Sequence, residues 1–270
     1  MLIDEIKKVG LFIARDFKIY FTYKFAVSMA FLSIIFNFVY MVMFGSMFEG
    51  SAPAITRYGG NFASYLLVGA TGWGFIWAVM SQISESLRTE MELGTLESIL
   101  ATPTSIYTII ISYTIFGSLF GSLSVVGLIL TGYILFGVNI MASVSIFTII
   151  IFILSIIMMV GLGMILGGLT VWFKNIGQAA PLIQSITMFF CGVYFPITIL
   201  PEYLQPISKF IPFYYFIEGL RTSLLPSIPS KIYFYISVLL IFSLIFLLTG
   251  AYTIKMCIKK AKKEGTLSFY

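Results

Sequence analysis

Long apolar stretches separated by short polar breaks run through the chain, and their lengths predict helices that cross a bilayer. Six runs reach or approach the ~20 helical residues needed to traverse a hydrocarbon core. They lie near 25–47, 62–83, 104–135, 142–172, 181–196 and 231–254. The fifth is short. The third and fourth are longer than needed and predict helices that tilt, bend or project beyond the bilayer.

Residues 1–22 have a different pattern. At helical spacing Leu2, Ile6, Val9, Ile13, Phe17 and Tyr20 fall on one face, with Asp4, Lys7, Lys8, Arg15 and Lys18 opposite. This is the signature of an interfacial helix beside an anionic leaflet, which anchors the first span or packs against a cytoplasmic partner. Between the fifth and sixth runs, residues 197–230 are apolar and aromatic, yet Pro196, Pro201, Pro206, Pro212, Pro226 and Pro229 punctuate the region. An interior proline removes a backbone donor and clashes with the preceding turn, so one straight spanning helix is excluded. Short re-entrant helices buried against protein satisfy both observations. On one of them Glu218 and Arg221 stand at i, i+3 and pair, since an unpaired charge at membrane depth is costly.

The predicted fold is therefore an all-α polytopic membrane protein, forming a single domain over 1–270. It has an interfacial helix (1–22), spans one and two (25–83), a cytoplasmic segment (84–103), spans three to five (104–196), an extracellular re-entrant segment (197–230), span six (231–254) and a basic tail (255–270). Within the spans, Gly117–Gly121 and Gly163–Gly167 have the small-xxx-small spacing that lets helix backbones approach. Packing within the chain is the first reading of both, a subunit interface the second.

Composition agrees with this class: 59% of residues are hydrophobic and 10% charged, against about 25% charged in an average soluble domain. The first twenty residues offer no continuous apolar core of a secretory signal. Net charge is +5, and its placement sets the topology. Lys7, Lys8, Arg15, Lys18 and Lys24 precede the first span, and Lys255, Lys259, Lys260, Lys262 and Lys263 follow the last. The positive-inside rule makes both termini cytoplasmic in a multi-pass plasma-membrane protein. Arg88 and Lys174 then face inward, with Arg57, Lys209, Arg221 and Lys231 as the outward minority. Basic residues gathered at the ends of a membrane chain argue against nucleic-acid binding.

The chemistry missing from the sequence narrows the function. There is no histidine, which removes imidazole bases and His metal ligands. Cys191 and Cys257 read as free thiols. No G-x-x-x-x-G-K-[ST] loop occurs, so ATP is not hydrolysed here through a Walker site. Asp4 and Asp16 are the two aspartates, both in the N-terminal helix, and no acid lies centrally in a span to carry a proton relay. No catalytic residue and no metal site is predicted, and any energy is supplied from outside the chain.

The acids that exist are concentrated. Of 11, Glu85, Glu90, Glu92 and Glu97 fall in "SESLRTEMELGTLESILATPTS", Ser84–Ser105. At about 2.5–3.5 kcal/mol for each charge at a span centre, this segment belongs in the cytoplasm. Thr89 and Glu92 form a T-x-x-E capping box that predicts a helix start. On that helix Leu93, Leu96 and Leu100 share a face, edged by Glu90 and Glu97. Thr102 and Pro103 are placed to cap and open the next helix. A surface connector and a partner-contacting helix both fit this pattern.

The stretch "EMELGTLESILATPTS" closely resembles the cytoplasmic loop of ABC-2 type transporter permeases. The run "GLTVWFKNIGQAAPLIQSITMFFCGVYFPITILPEYLQPISKFIPFYYFIEGLR" resembles the second half of the same family, with its aromatic-proline pair, "LP" and Pro-then-Glu-Gly-x-Arg ending. The resemblance implies six spans, cytoplasmic termini, and two permease copies paired with two ATP-hydrolysing subunits that carry the ATP and Mg. It implies that the first cytoplasmic loop is the coupling helix seated on the ATPase, here Glu92, Gly94, Thr95, Leu96, Glu97 and Leu100, with Glu90 and Leu93 beside them. It also implies a path bordered by the first, second and fifth spans, where Phe31, Phe36, Phe38, Tyr40, Phe189, Phe190 and Tyr194 are candidates. Their aromatic, uncharged character suits an amphipathic or lipophilic cargo such as a drug, lipid or hydrophobic peptide, and equally a lipid-linked glycan. An ATP-independent channel or scaffold is the competing class. A channel requires a polar pore lining, of which the spans show little.

Overall fold

The computed structural model describes residues 2–46, 62–173, 179–225 and 231–264. Arg57, Lys174, Pro226 and Pro229, and the side chains of Leu2, Asp4, Phe31, Leu100 and Lys262, lie outside the described residues. Ten α-helices form among the described residues: α1 (Leu2–Thr22), α2 (Lys24–Ser46), α3 (Phe62–Glu92), α4 (Thr95–Ala101), α5 (Ile106–Phe136), α6 (Ile146–Phe173), α7 (Ala179–Phe190), α8 (Gln205–Phe210), α9 (Pro212–Leu224) and α10 (Ile232–Glu264). Four of the described helices, Phe62–Glu92, Ile106–Phe136, Ile146–Phe173 and Ile232–Ala261, are long and apolar enough to cross a membrane.

The apolar pattern set these helices, and special backbone residues end them. At the end of α5, Gly137 takes φ 66°; its N–H bonds Tyr133 O and the Val138 N–H bonds Gly132 O, a Schellman stop that a left-handed glycine permits. The run predicted at 181–196 becomes only a 12-residue helix, α7, too short to cross alone. The chain then turns at Gly192, φ 70°.

α3 lies against α5, α6 and α9, and α6 makes its most extensive contact with α10. Side chains such as Leu67, Phe75, Val79, Ile83 and Leu87 of α3 are fully or almost fully buried in this core. Phe75, Phe152 and Phe216 knit α3, α6 and α9 together with ring centroids 5.2–6.1 Å apart. Both glycine pairs predicted from spacing pack within the chain: Gly117 and Gly121 face α3 at Val79 and Phe75, and Gly163 and Gly167 face α3 at Ile83 and Leu87.

α1 lies along α5, with Phe17 edge-on to Phe116 at 5.0 Å and Tyr20 against Phe120 at 4.6 Å. Its faces differ from the simple apolar/basic division. Arg15 and Asp16 turn toward the protein, whereas Ile6 and Leu11 are 64% and 71% exposed. The reason is local: α1 runs along the first half of α5 and past the end of α3, where Glu90, Tyr113, Thr108 and the Pro103 carbonyl offer polar partners.

Candidate functional site

The acidic segment folds as an elbow rather than a single helix. α3 runs straight on through Thr89 to Glu92, so the capping box does not open a helix; Glu92 instead pairs with Arg88, Nε to Oε1 2.7 Å. The continuation follows from packing, because Leu87 and Met91 are fully buried on the face that extends the core. The break comes at Leu93–Gly94, where Gly94 adopts φ 69°, a conformation costly for any residue with a Cβ. α4 then begins at Thr95. Nor do Thr102 and Pro103 open α5: Ser105 caps it, its hydroxyl accepting from the Tyr107 N–H.

This geometry divides the predicted coupling residues. Glu92, Leu93, Gly94, Thr95 and Glu97 are exposed at the tip, whereas Leu96 is fully buried. The shared face of Leu93 and Leu96 is thus lost to the intervening turn. Glu90 points inward. Its Oε1 meets Arg15 Nη1 of α1 at 2.7 Å and accepts from the Tyr113 hydroxyl of α5 at 3.1 Å, while Oε2 accepts from Thr95 Oγ1 of α4. Asp16 Oδ1 accepts from Arg15 Nε and Nη2 at 3.0 and 2.9 Å. On the same side, Lys8 donates to the Pro103 carbonyl and to Glu5, whose other oxygen accepts from Thr108. One carboxylate thus joins four helices at the base of the elbow. Sequence reasoning missed Arg15 and Tyr113 as its partners, and Asp16 as the second carboxylate on Arg15; the available signals were an adjacent Arg-Asp pair on an otherwise basic helix face and a tyrosine inside an apolar run.

Burial pushes the Asp16 carboxyl above its usual range, Arg15 pulls it back, and the charge of Glu90 pushes it up. Its Oδ2 is buried without a hydrogen-bond partner among the described residues. A carboxyl raised in the folded state contributes stability below its unfolded pKa and loses that contribution as pH rises through the folded value. Asp16→Asn is therefore expected to raise Tm at pH 7 by about 1–2 °C, a small effect because Arg15 offsets much of the burial penalty. The gain shrinks as pH falls through the folded-state value, where the wild-type carboxyl takes up a proton as well. Thermal scans across pH check this; a constant offset would contradict it.

A second feature lies midway along α3. A cleft of about 480 Å³ opens between α1, α2, α3, α5 and the turn after α7. Trp73 and Trp77 of α3, Phe38 of α2, Phe120 of α5, Tyr20 of α1 and Tyr194 give it aromatic walls, with Ser33, Ser81, Gln82 and Ser124 as its hydroxyl and amide groups. No charged side chain lines it among the described residues. Of the predicted path residues, Phe38 and Tyr194 are here. Phe36 and Tyr40 are 67% and 68% exposed on α2, and Phe189 is half-exposed, edge-on to Phe190 and Phe195 at 5.0 and 5.7 Å. Phe31 lies on α2 with its side chain outside the described ones. Trp73 and Trp77 were missed, although two tryptophans at i, i+4 among Gly, Ala and Ser residues mark an open helix face.

The predicted Glu218–Arg221 pair forms on α9, with Nη1 to Oε1 2.9 Å and Arg221 fully buried.

No curated protein matches the chain at a significant level. The sequence model of the family described as ABC-2 type transporter matches residues 8–225, which takes in most of α1, the elbow, the cleft and α9. With its membrane-spanning helices and that match over most of its length, the chain belongs to the ABC-2 type transporter family and is a membrane permease of an ABC transporter.

Proposed function

We propose that this permease moves an amphipathic or lipophilic substrate (a drug, lipid or hydrophobic peptide) outward across the plasma membrane. Two copies pair with two separate ATPase subunits, which hold ATP and Mg and supply the energy. In this reading the chain crosses six times. α2, α3, α5, α6 and α10 are five crossings, α7 and the turn after it complete another, and α8 and α9 are re-entrant. Both termini face the cytoplasm.

The observation that carries the proposal is the elbow. Glu92, Leu93 and Glu97 are exposed at its tip, while Glu90 ties its base to α1, α4 and α5. A push on the tip by an ATPase is therefore delivered to α1, α3 and α5, all of which wall the aromatic cleft. ATP shifts the equilibrium between inward- and outward-facing states only through its different affinity for them, which the elbow transmits. The uncharged aromatic cleft supports an amphipathic cargo. Trp73 and Trp77 also favour a second reading, a lipid-linked glycan, through stacking on sugar faces.

The test is ATPase activity of the complex in lipid. Glu97→Lys and Leu93→Asp alter exposed positions and leave the core intact, whereas a charge at buried Leu96 would unfold the elbow. Each is expected to cut permease-dependent ATP hydrolysis by about fivefold or more, the scale of a lost allosteric coupling. Wild-type rates in both variants would remove the elbow from coupling. Transport that proceeds without nucleotide would point to a channel.

A further inference from the structure

The turn after α7 forms one wall of the cleft through Val193 and Tyr194, and it is held from a distance. Arg221 Nη2 of α9 donates to Gly192 O at 2.6 Å and Val193 O at 3.0 Å, while Nη1 pairs with Glu218. The guanidinium stacks over the Tyr65 ring of α3, 3.7 Å from its centroid, and the Tyr65 hydroxyl donates to Gly192 O at 3.0 Å. Space for this is made by Gly69: a Cβ there would stand 2.7 Å from Arg221 Nη2 and closer still to Val193 O. A planar cation with several donors in fixed directions binds two carbonyls, a carboxylate and a ring face at once, which a lysine cannot do.

We infer that Arg221 is a positioning residue for the cleft. It clamps the Gly192–Val193 turn onto α3 and so fixes the wall that Val193 and Tyr194 give the cleft. This rests on the cleft being the cargo site only for its functional consequence; the clamp itself is a statement about the turn.

The chain has three tryptophans, and Trp172→Phe leaves Trp73 and Trp77 as the sole reporters, both in the cleft. In that background acrylamide quenching of tryptophan emission reads access to the cleft, in detergent-purified full-length protein. Gly69→Ala and Arg221→Lys are expected to raise the quenching constant about twofold, since each loosens the turn through a different atom. Tyr65→Phe keeps the ring and removes one donor, and raises it less. Gly10→Ala, whose Cβ meets nothing within 4 Å, leaves it unchanged. Far-ultraviolet circular dichroism confirms that helix content is retained, and if Arg221→Lys fails to fold, Gly69→Ala decides alone. Unchanged quenching in a folded Gly69→Ala protein would overturn the clamp. Binding of the planar dye ethidium, read on the same tryptophans, separates the two ideas. If no variant and no wild-type protein binds dye or any transported compound while the quenching pattern holds, the cargo reading fails and the clamp stands.

Discussion

Glu90→Lys is expected to abolish most of the coupling between nucleotide hydrolysis and transport, a loss of about tenfold or more. Glu90 is 8% exposed, and its carboxylate sits where α1, α3, α4 and α5 meet. Lysine there faces Arg15 across the 2.7 Å now closed by an ion pair, and it strands the hydroxyls of Tyr113 and Thr95. Breaking a fully buried pair costs about 3–5 kcal/mol. The Arg15 side chain is 37% exposed, so screening reduces this to roughly 1–3 kcal/mol. The variant should therefore still fold, with a lower Tm, and α1 should loosen around Arg15 while Phe17 and Tyr20 stay packed on α5. The double variant Arg15→Glu/Glu90→Arg restores an opposite-charge pair in the same place and should recover much of both losses. The measurement is permease-dependent ATPase activity and Tm for the two singles and the swap. If Tm recovers in the swap but coupling is normal in every variant, the junction is only a structural tie.

The cleft and the clamp extend this along one helix. Gly69 and Tyr65 stand near the start of α3, Trp73 and Trp77 line the cleft, and Glu90 lies near its end. From Gly69 to Glu90 the helix rises about 30 Å, the thickness of a hydrocarbon core. α3 is thus one rod touching the elbow, the cleft and the turn held by Arg221. A tilt begun at one end has a lever to the other, with no need for a separate relay.

Most of the helices were legible because hydrophobic length is a local property. α3, α5, α6 and α10 begin within a few residues of the apolar runs that predict them. What failed was whatever depended on residues far away in sequence. Thr89 and Glu92 make a sound local start signal, yet buried Leu87 and Met91 carry α3 past it. The fifth run stops at Phe190, and the carbonyls of Gly192 and Val193 that follow are held by Arg221, 29 and 28 residues on. The partners of Glu90 are likewise remote, Arg15 on α1 and Tyr113 on α5. Exposure cannot be read from a leucine or a glutamate alone, so Leu96 and Glu90 were assigned to the same surface as Leu93 and Glu97.

Glycine spacing shows the same limit, and it sets the variant expected to damage the fold most. Gly163 and Gly167 stand out by their spacing, but Gly161 makes the closest backbone approach between α6 and α10. A Cβ at Gly161 would overlap the carbonyl of Phe246 and stand 2.6 Å from Leu247 N; a Cβ at Gly250 would in turn overlap the Gly161 carbonyl. These are backbone atoms and cannot turn aside, so the two helices must separate along the largest helix–helix contact among the described residues. At Gly163 the nearest obstacle is Ile83 Cδ1, the tip of a flexible side chain, with the next atoms at 3.4 Å. Small-residue seams gain their stability from close van der Waals contact, since lipid offers no hydrophobic drive between helices. Gly161→Ala should therefore cost at or above the upper end of the ~1–3 kcal/mol of overpacking. Gly161→Leu should leave no monodisperse protein after extraction. Gly163→Ala should cost under about 1 kcal/mol, because one rotamer change relieves it. Thermal unfolding of the purified variants ranks them, and a Gly161→Ala protein as stable as Gly163→Ala would mean that α6 and α10 do not touch backbone to backbone.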